Sequence, residues 1–372
     1  MAAKRIVVKI GSSSLTNTHG EIDKQQLEDH VHALALLHQN NMEVILVSSG
    51  AIAAGFKQLG YSSRPVTQKG KQAAAAVGQG LLIQTYMEKL KEYDITAAQI
   101  LLTRSDFSDQ GRYRNAYATM QELLERRVIP IINENDTIAI DELTFGDNDM
   151  LSALVSGLIH ADHLILLTDI NGIYDKNPKR HPDAIRYDHL IKLSEELIEQ
   201  TDATGSKVGT GGMKSKLMAA KMASSVGIPV FIGQGYGKEK LTAILKGEGD
   251  GTYIDSERKA HLPANKQWIS LHSHLDGRVF IDEGAEKALM YHGSSLLSPG
   301  ITAVEGYFAG GDVVEVYGET ALLGRGQVKC SSEELKAVMK LRESTYIQTL
   351  PTIEVIHRDK WVSFETMKGE LS

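Results

Sequence analysis

At 372 residues, 42% hydrophobic and 23% charged, the chain has a composition typical of soluble proteins and a length that predicts two or three domains. A formal net charge of −7 excludes broad electrostatic binding to nucleic acid or to an anionic membrane surface, and no window approaches the roughly 18 apolar residues of a membrane span. The single cysteine, Cys330, excludes an internal disulfide and fits a reducing compartment, where it reads as inert packing.

The N-terminus, Met1-Ala2-Ala3-Lys4-Arg5, lacks the apolar stretch of a signal peptide, so a cytoplasmic location is expected. From Ile6 to about Ile254, short apolar runs alternate with helical periodicity. Ile6–Ile10 reads as a strand, and Lys24–Gln39 as an amphipathic helix with Leu27, Val31 and Leu34 on one face. Then come a strand at Val44–Val47, a helix over Lys71–Tyr93, a strand at Thr96–Leu102, a helix over Arg112–Arg126 and a strand at Val128–Ile132. A helix over Asp149–His160, a strand at His163–Leu167, helices over Leu190–Gln200 and Lys214–Val226 and a strand at Ile228–Ile232 follow. Continuously apolar strands between helices predict a three-layer αβα domain around an open, mostly parallel sheet, placed at residues 1–255.

Residues 256–267 are polar and contain Pro263, the composition of a linker. From Trp268 onward the strands are short and the glycines frequent. Runs at Gly277–Ile281, Ile301–Val304, Val313–Val316 and Leu322–Val328, with helices at Ala285–Tyr291 and Glu333–Leu341, predict a small β-rich, barrel-like domain over 268–350. Residues 351–372 form a tail with no clear element.

Chemistry concentrates where strands end. In open α/β sheets, ligands bind where strand C-termini meet helix N-termini. Lys9 closes the first strand and precedes Gly11; a glycine admits backbone N–H groups to a phosphate and the lysine adds a compact positive charge. Ser49 and Gly50 follow the second strand. The Gly-x-Ser-x-Gly elbow of a hydrolase is missing, since Val47 occupies the first glycine position, so a substrate-carboxylate contact fits better. Asn133, Asn135 and Asp136 follow another buried strand, with turn formation as the plain alternative. Asp147, Asn148 and Asp149 open a helix; one of them serves as cap, and three exceed what capping needs.

Thr168 and Asp169 end the strand at His163–Leu167, where they can hydrogen-bond a nucleotide with Tyr174 nearby; the glycine of Asp169-Ile170-Asn171-Gly172 comes fourth, too early for a calcium loop. The segment Gly209-Thr210-Gly211-Gly212-Met213-Lys214-Ser215-Lys216, with Lys207 before it, reads as a phosphate-covering loop that opens a helix. It is not a Walker loop, because Met213 precedes Lys214-Ser215. The 13 histidines show no metal-binding spacing, and no metal ligand is expected.

Together these segments resemble the amino acid kinase family, and within it most closely the glutamate 5-kinases. The matching runs are Val8-Lys9-Ile10-Gly11-Ser12, Ser48-Ser49-Gly50-Ala51-Ile52-Ala53-Ala54-Gly55, Asn133-Glu134-Asn135-Asp136, Phe145-Gly146-Asp147-Asn148-Asp149, Thr168–Tyr174 and Gly209–Met213. Asp282-Glu283-Gly284-Ala285 and Gly293–Leu297 before Pro299-Gly300-Ile301 are similar to an appended PUA domain. Aspartate kinases differ at the first strand, with a Gly-Gly-Thr-Ser run where this chain has Gly11-Ser12-Ser13-Ser14.

The resemblance implies ATP- and Mg²⁺-dependent phosphorylation of the L-glutamate side-chain carboxylate to L-glutamyl 5-phosphate, the first step of proline biosynthesis. Carried over by motif, Lys9 and Lys216 stabilise the transferring phosphoryl group and Asp149 orients them. Ser49, Gly50, Asp136 and Asn148 bind glutamate. Lys9, Gly11, Thr168, Asp169, Tyr174 and the run Thr210, Gly211, Gly212, Met213, Lys214, Ser215 and Lys216 bind ATP.

The resemblance further implies a homo-oligomer, dimer or tetramer, feedback inhibition by L-proline in many members, and transient contact with glutamyl phosphate reductase. An acetylglutamate or nucleoside monophosphate kinase is disfavoured by the second domain and by Ser48–Gly55. RNA binding through the PUA-like domain is disfavoured by charge: from Trp268 to Ser372 there are ten Lys/Arg against fifteen Asp/Glu.

Overall fold

Among the described residues, eight strands of the first half form one sheet. The computed structural model describes residues 4–17, 21–138, 148–178, 180–202, 212–256, 266, 268–269, 275–319, 321–344 and 352–364. In chain order the elements are β1 (Arg5–Ile10), α1 (Lys24–Gln39), β2 (Glu43–Ser48), α2 (Ala51–Gly55), α3 (Gln68–Lys91), β3 (Ala97–Leu102), α4 (Arg104–Ser108), α5 (Gln110–Glu125) and β4 (Ile129–Glu134). They continue with α6 (Asn148–Leu158), β5 (His163–Leu167), β6 (Ile173–Tyr174), β7 (Arg186–Tyr187), β8 (His189–Leu190), α7 (Glu195–Asp202), α8 (Met213–Ser225), β9 (Val230–Gly233), α9 (Lys240–Leu245) and β10 (Gly251–Ile254).

The strand order is β3-β4-β2-β1-β5-β9-β10-β8: β1 pairs in parallel with β2 and β5, β2 with β4, β4 with β3, β5 with β9 and β10 with β8, while β9 and β10 pair antiparallel. β1, β2, β4 and β5 are nearly continuous runs of buried branched residues because both faces are covered. Alternation sorts their side chains. Ile6, Val8 and Ile10 of β1 and Val44 and Leu46 of β2 pack with α1, α3 and α9 in one core. Val7 and Lys9 therefore face the other layer, where α6 and α8 lie. Asp23 caps α1, accepting from Gln25 N and Gln26 N at 3.0 and 3.1 Å, and Thr67 caps α3.

Several boundaries differ from the sequence expectation. The helix expected over Leu190–Gln200 starts at Glu195, since Leu190 pairs with Ile254 in the sheet. α3 starts at Gln68, earlier than Lys71, because the Thr67 hydroxyl accepts from Gly70 N. β4 runs on to Glu134, so Asn133 lies inside a buried strand instead of after it.

The chain divides into two units: Met1–Asp106 with Gly111–His261, and Phe107–Gln110 with Leu262–Ser372. The second holds β11 (Leu275–Ile281), α10 (Glu283–Tyr291), β12 (Leu296–Leu297), β13 (Ile301–Gly306), β14 (Val313–Tyr317), β15 (Leu322–Val328), α11 (Ser332–Ser344) and β16 (Glu354–Ser363). Its sheet order is β12-β16-β15-β14-β11-β13, around a core of Val279, Ile281, Val314, Val316, Leu335, Val355 and Ile356. The tail that showed no element in sequence supplies β16, which pairs with β12 and β15. Cys330 is a buried free thiol in this core. The linker residues 257–265 lie outside the described residues. Among the described residues, no helix is long and apolar enough to cross a membrane.

Candidate active site

The chain runs from β1 outward to β2, then returns to β1's other side at β5, which opens a crevice over the strand C-termini. Lys9 is the fifth residue of β1 and faces the α6 layer. There its Nζ forms an ion pair with Asp149 Oδ1, in the first turn of α6. The other oxygen, Oδ2, accepts from Lys216 Nζ at 2.9 Å and from Ser215 Oγ at 2.9 Å, both in the first turns of α8. Asp149 is fully buried, Lys9 is 4% exposed and Lys216 7%. One carboxylate thus orients two ammonium groups, and the group carries net positive charge beside the N-termini of α6 and α8, whose dipoles also favour anions.

Gly11 has an ordinary φ of −73°. A Cβ there would stand 3.4 Å from Lys9 Nζ and 3.7 Å from the Leu167 carbonyl, in ordinary contact with both, so the glycine leaves that space beside the lysine open. Gly50, by contrast, has φ +109° at the start of α2, a conformation that favours glycine.

Asn148 ties the neighbouring turns together. Its Nδ2 donates toward Ser48 O at 2.9 Å, Ser49 Oγ at 3.0 Å and Asn133 Oδ1 at 2.7 Å. Asn133 Oδ1 also accepts from Glu134 N at 2.9 Å, which fixes it as the oxygen of its amide. Three acceptors for two protons commit the nitrogen fully, so Asn148 Oδ1 is the atom left for a ligand. Asp136 lies just beyond β4, and burial pushes its carboxyl up to about 6. Such a group favours an incoming cation, which would restore its charged form.

Across β1, Thr168 N donates to Gly233 O at 3.0 Å and its hydroxyl to Asp169 Oδ1 at 3.2 Å. Tyr174 OH donates to Asn171 Oδ1 at 2.7 Å. Gly212 caps α8, and Met213, Lys214, Ser215 and Lys216 form its first turn. Thr210, Gly211 and Lys207 lie outside the described residues. The structure therefore groups Lys9, Gly11, Asp149, Ser215 and Lys216 in one cluster, and Ser49, Gly50 and Asn148 beside it. Ser215, expected on the nucleotide, directs its hydroxyl to Asp149. Sequence reasoning assigned no role to Ser48 and placed Asn133 after its strand, with a ligand contact and a turn both open; a polar side chain inside a buried strand run was the available signal.

The amino acid kinase family model matches residues 4–234. The chain belongs to the amino acid kinase family. The PUA domain model matches residues 277–350. The chain is 65% identical over 370 residues to a glutamate 5-kinase of Oceanobacillus iheyensis, covering 100% of both chains. It is 57% identical over 363 residues to glutamate 5-kinase 1 of Bacillus subtilis strain 168, covering 98% of this chain and 99% of that one. Among solved structures, carbamate kinase from Giardia lamblia bound to AMP-PNP has a TM-score of 0.51 at 16% identity, covering 68% of this chain and 99% of that one. At that identity the likeness speaks to the fold of the first unit.

Proposed function

We propose that the protein is an ATP-dependent kinase of the side-chain carboxylate of L-glutamate, which forms L-glutamyl 5-phosphate in the first step of proline biosynthesis. The observation that carries this reading is the buried Lys9–Asp149–Lys216 ion group at the strand ends, in a chain with full-length kinship to glutamate 5-kinases.

A carboxylate acceptor is ionised at neutral pH, its reference pKa being about 4, so no general base is required. One acceptor oxygen bonds to the γ-phosphorus as the bond from that phosphorus to its bridging oxygen breaks, and ADP departs with the electron pair. The obstacle is repulsion between two anions. Lys9 and Lys216 answer it with charges fixed in place by Asp149, so little reorganisation accompanies the step. Asp149 itself, with one oxygen on Lys9 and the other on Lys216 and Ser215, orients cations and does not attack.

On this reading Asp136 and Asn148 Oδ1 receive the α-ammonium of glutamate, and Ser49 and the Gly50 amide its α-carboxylate. Gly11, Thr168, Asp169, Tyr174 and the run Thr210–Lys216 hold ATP. Among the described residues no cluster of three or more His, Cys, Asp or Glu could hold a metal. A Mg²⁺ would then be carried chiefly by the phosphates and water, with Asp169 at the β5 end as a carboxylate that would hold it. Bound there, the ion would neutralise phosphate charge. On the same reading we place the protein in the cytoplasm as a homo-oligomer, with L-proline competing with L-glutamate for the acceptor pocket and the labile acyl phosphate passing to glutamyl phosphate reductase.

The test is ADP release with hydroxamate trapping, run with L-glutamate, L-aspartate, N-acetyl-L-glutamate and UMP. Hydroxamate should form fastest with L-glutamate. A higher kcat/KM with any of the other three overturns the substrate assignment.

A further inference from the structure

The long helix α3 carries two buried polar side chains that the phosphoryl transfer does not use. They are Gln79 and Tyr86, seven residues apart and so two turns apart on one face. Tyr86 is fully buried, among the largest such side chains in the molecule, and its hydroxyl lies 3.0 Å from Ser48 Oγ. Gln79 Nε2 donates to the carbonyl of Glu134 at 3.2 Å. The first contact reaches the end of β2, the second the end of β4. Those ends lead into Ser49–Gly50 and Asn135–Asp136, the turns assigned above to the acceptor.

Alternation in β2 explains the meeting. Val44 and Leu46 point into the α1–α3 core, so Ser48 must point the same way. A hydroxyl in that core costs free energy unless it is bonded. It finds the Tyr86 hydroxyl and, at 3.1 Å, the Ser49 carbonyl. Ser48's own carbonyl accepts from Asn148 Nδ2, and Ser49 Oγ accepts from the same nitrogen. A continuous chain of hydrogen bonds therefore runs from α3 through Ser48 to Asn148. The helix itself is seated closely, because a Cβ on Gly78 would collide with the carbonyl of Ala51 in α2.

We propose that α3 braces the acceptor pocket from behind, with Tyr86 as a positioning residue for acceptor binding and Gln79 as its counterpart under β4. The inference rests on the acceptor pocket described under the proposed function. The hydroxyl touches neither substrate nor the reacting atoms. It sets where Ser49 and Asn148 stand, and its chain of hydrogen bonds ends there, one residue before the Asp149 that holds Lys9 and Lys216.

The test is steady-state kinetics of the full chain with Tyr86→Phe, Ser48→Ala, the double variant and Leu90→Val. Leu90 is a fully buried α3 residue one turn further on, and its apolar side chain takes no part in the hydrogen bonds at Ser48. Tyr86→Phe should raise the L-glutamate KM roughly three- to tenfold, the range of one lost hydrogen bond, with kcat and the ATP KM within twofold of wild type. Ser48→Ala should do at least as much, because it also removes the bond to the Ser49 carbonyl, and the double variant should be no worse than Ser48→Ala, which already lacks the Tyr86 bond. Leu90→Val should lower the melting temperature and leave the glutamate KM unchanged.

An unchanged glutamate KM in Tyr86→Phe overturns the proposal. So do a double variant whose effects multiply and an equal KM rise in Leu90→Val, which would mean general loosening of α3. Should wild type prefer another acceptor, the substrate assignment fails separately, and the same KM split is read with that acceptor.

Discussion

Replacing Asp149 by Asn removes one negative charge and almost no volume from a group in which all three ions are more than nine-tenths buried. Lys9 and Lys216 would then face each other across a neutral amide. Breaking a buried pair by removing one partner costs roughly 3–5 kcal/mol, and here one carboxylate serves two ammonium groups. For a unit of about this size that lowers the melting temperature on the order of 10 °C. The two loose cations also lose their alignment on the transferring group, so kcat should fall by roughly 10²- to 10³-fold. Nucleotide binding should survive, because a triphosphate meets more positive charge than before. Differential scanning fluorimetry with and without a non-hydrolysable ATP analogue, beside kcat, reads all three effects. The stability deficit should narrow when the analogue binds. A variant with kcat within threefold of wild type, or a deficit that the analogue leaves untouched, would refute the view that Asp149 orients the two lysines.

Lys9→Ala and Lys216→Ala should each lower kcat by roughly 10²-fold or more while moving the glutamate KM little, the signature of contacts made in the transition state. Asn148→Ala and Ser49→Ala should act mainly on the glutamate KM, and a pure kcat effect would reassign them. Asp136, raised to about 6, is charged above that pH, so the glutamate KM should climb as pH falls through 6. A carboxyl raised by burial contributes stability below its unfolded value of 3.8 that is lost as pH rises through 6, where the folded state must carry the buried charge. Asp136→Asn should therefore melt higher than wild type at pH 8 while binding glutamate more weakly; a lower melting temperature there would contradict the burial argument. Glutamate titrations at fixed L-proline concentrations should shift the midpoint and leave the maximal rate, since ligands that exclude each other in one pocket weaken each other reciprocally. A lowered maximal rate at constant midpoint would place proline elsewhere.

Much of the architecture was legible in local pattern. The apolar runs at Ile6–Ile10, Val44–Val47 and His163–Leu167 could only be doubly covered strands, and the helix over Lys24–Gln39 matches residue for residue. Errors fell where tertiary pairing overrides periodicity. Leu190 continues an apolar helical pattern, yet its backbone pairs with β10. The stretch Glu354–Ser363 carries Asp359 and Lys360 in its middle and gave no strand signal, but the second unit's sheet uses it through its buried Val355, Ile356, Trp361 and Val362.

The candidate site divides along the same line. Sequence alone places polar turns at strand ends, because a glycine or polar residue ending an apolar run is a local fact, and family resemblance assigns Lys9, Asp149 and Lys216 their roles. Spacing cannot say that one carboxylate lies between lysines 140 residues before it and 67 after it. That depends on strand order, which puts β1 beside β5 with α6 across its face. Nor can spacing say that Ser48 turns inward to Tyr86, that Asn148 joins three chain segments, or that Asp136 is desolvated. Periodicity determines which face a side chain takes; the packing of distant elements decides what it finds there, and the strength of a hydrogen bond or the charge of a carboxyl follows from that neighbour and from the water it excludes.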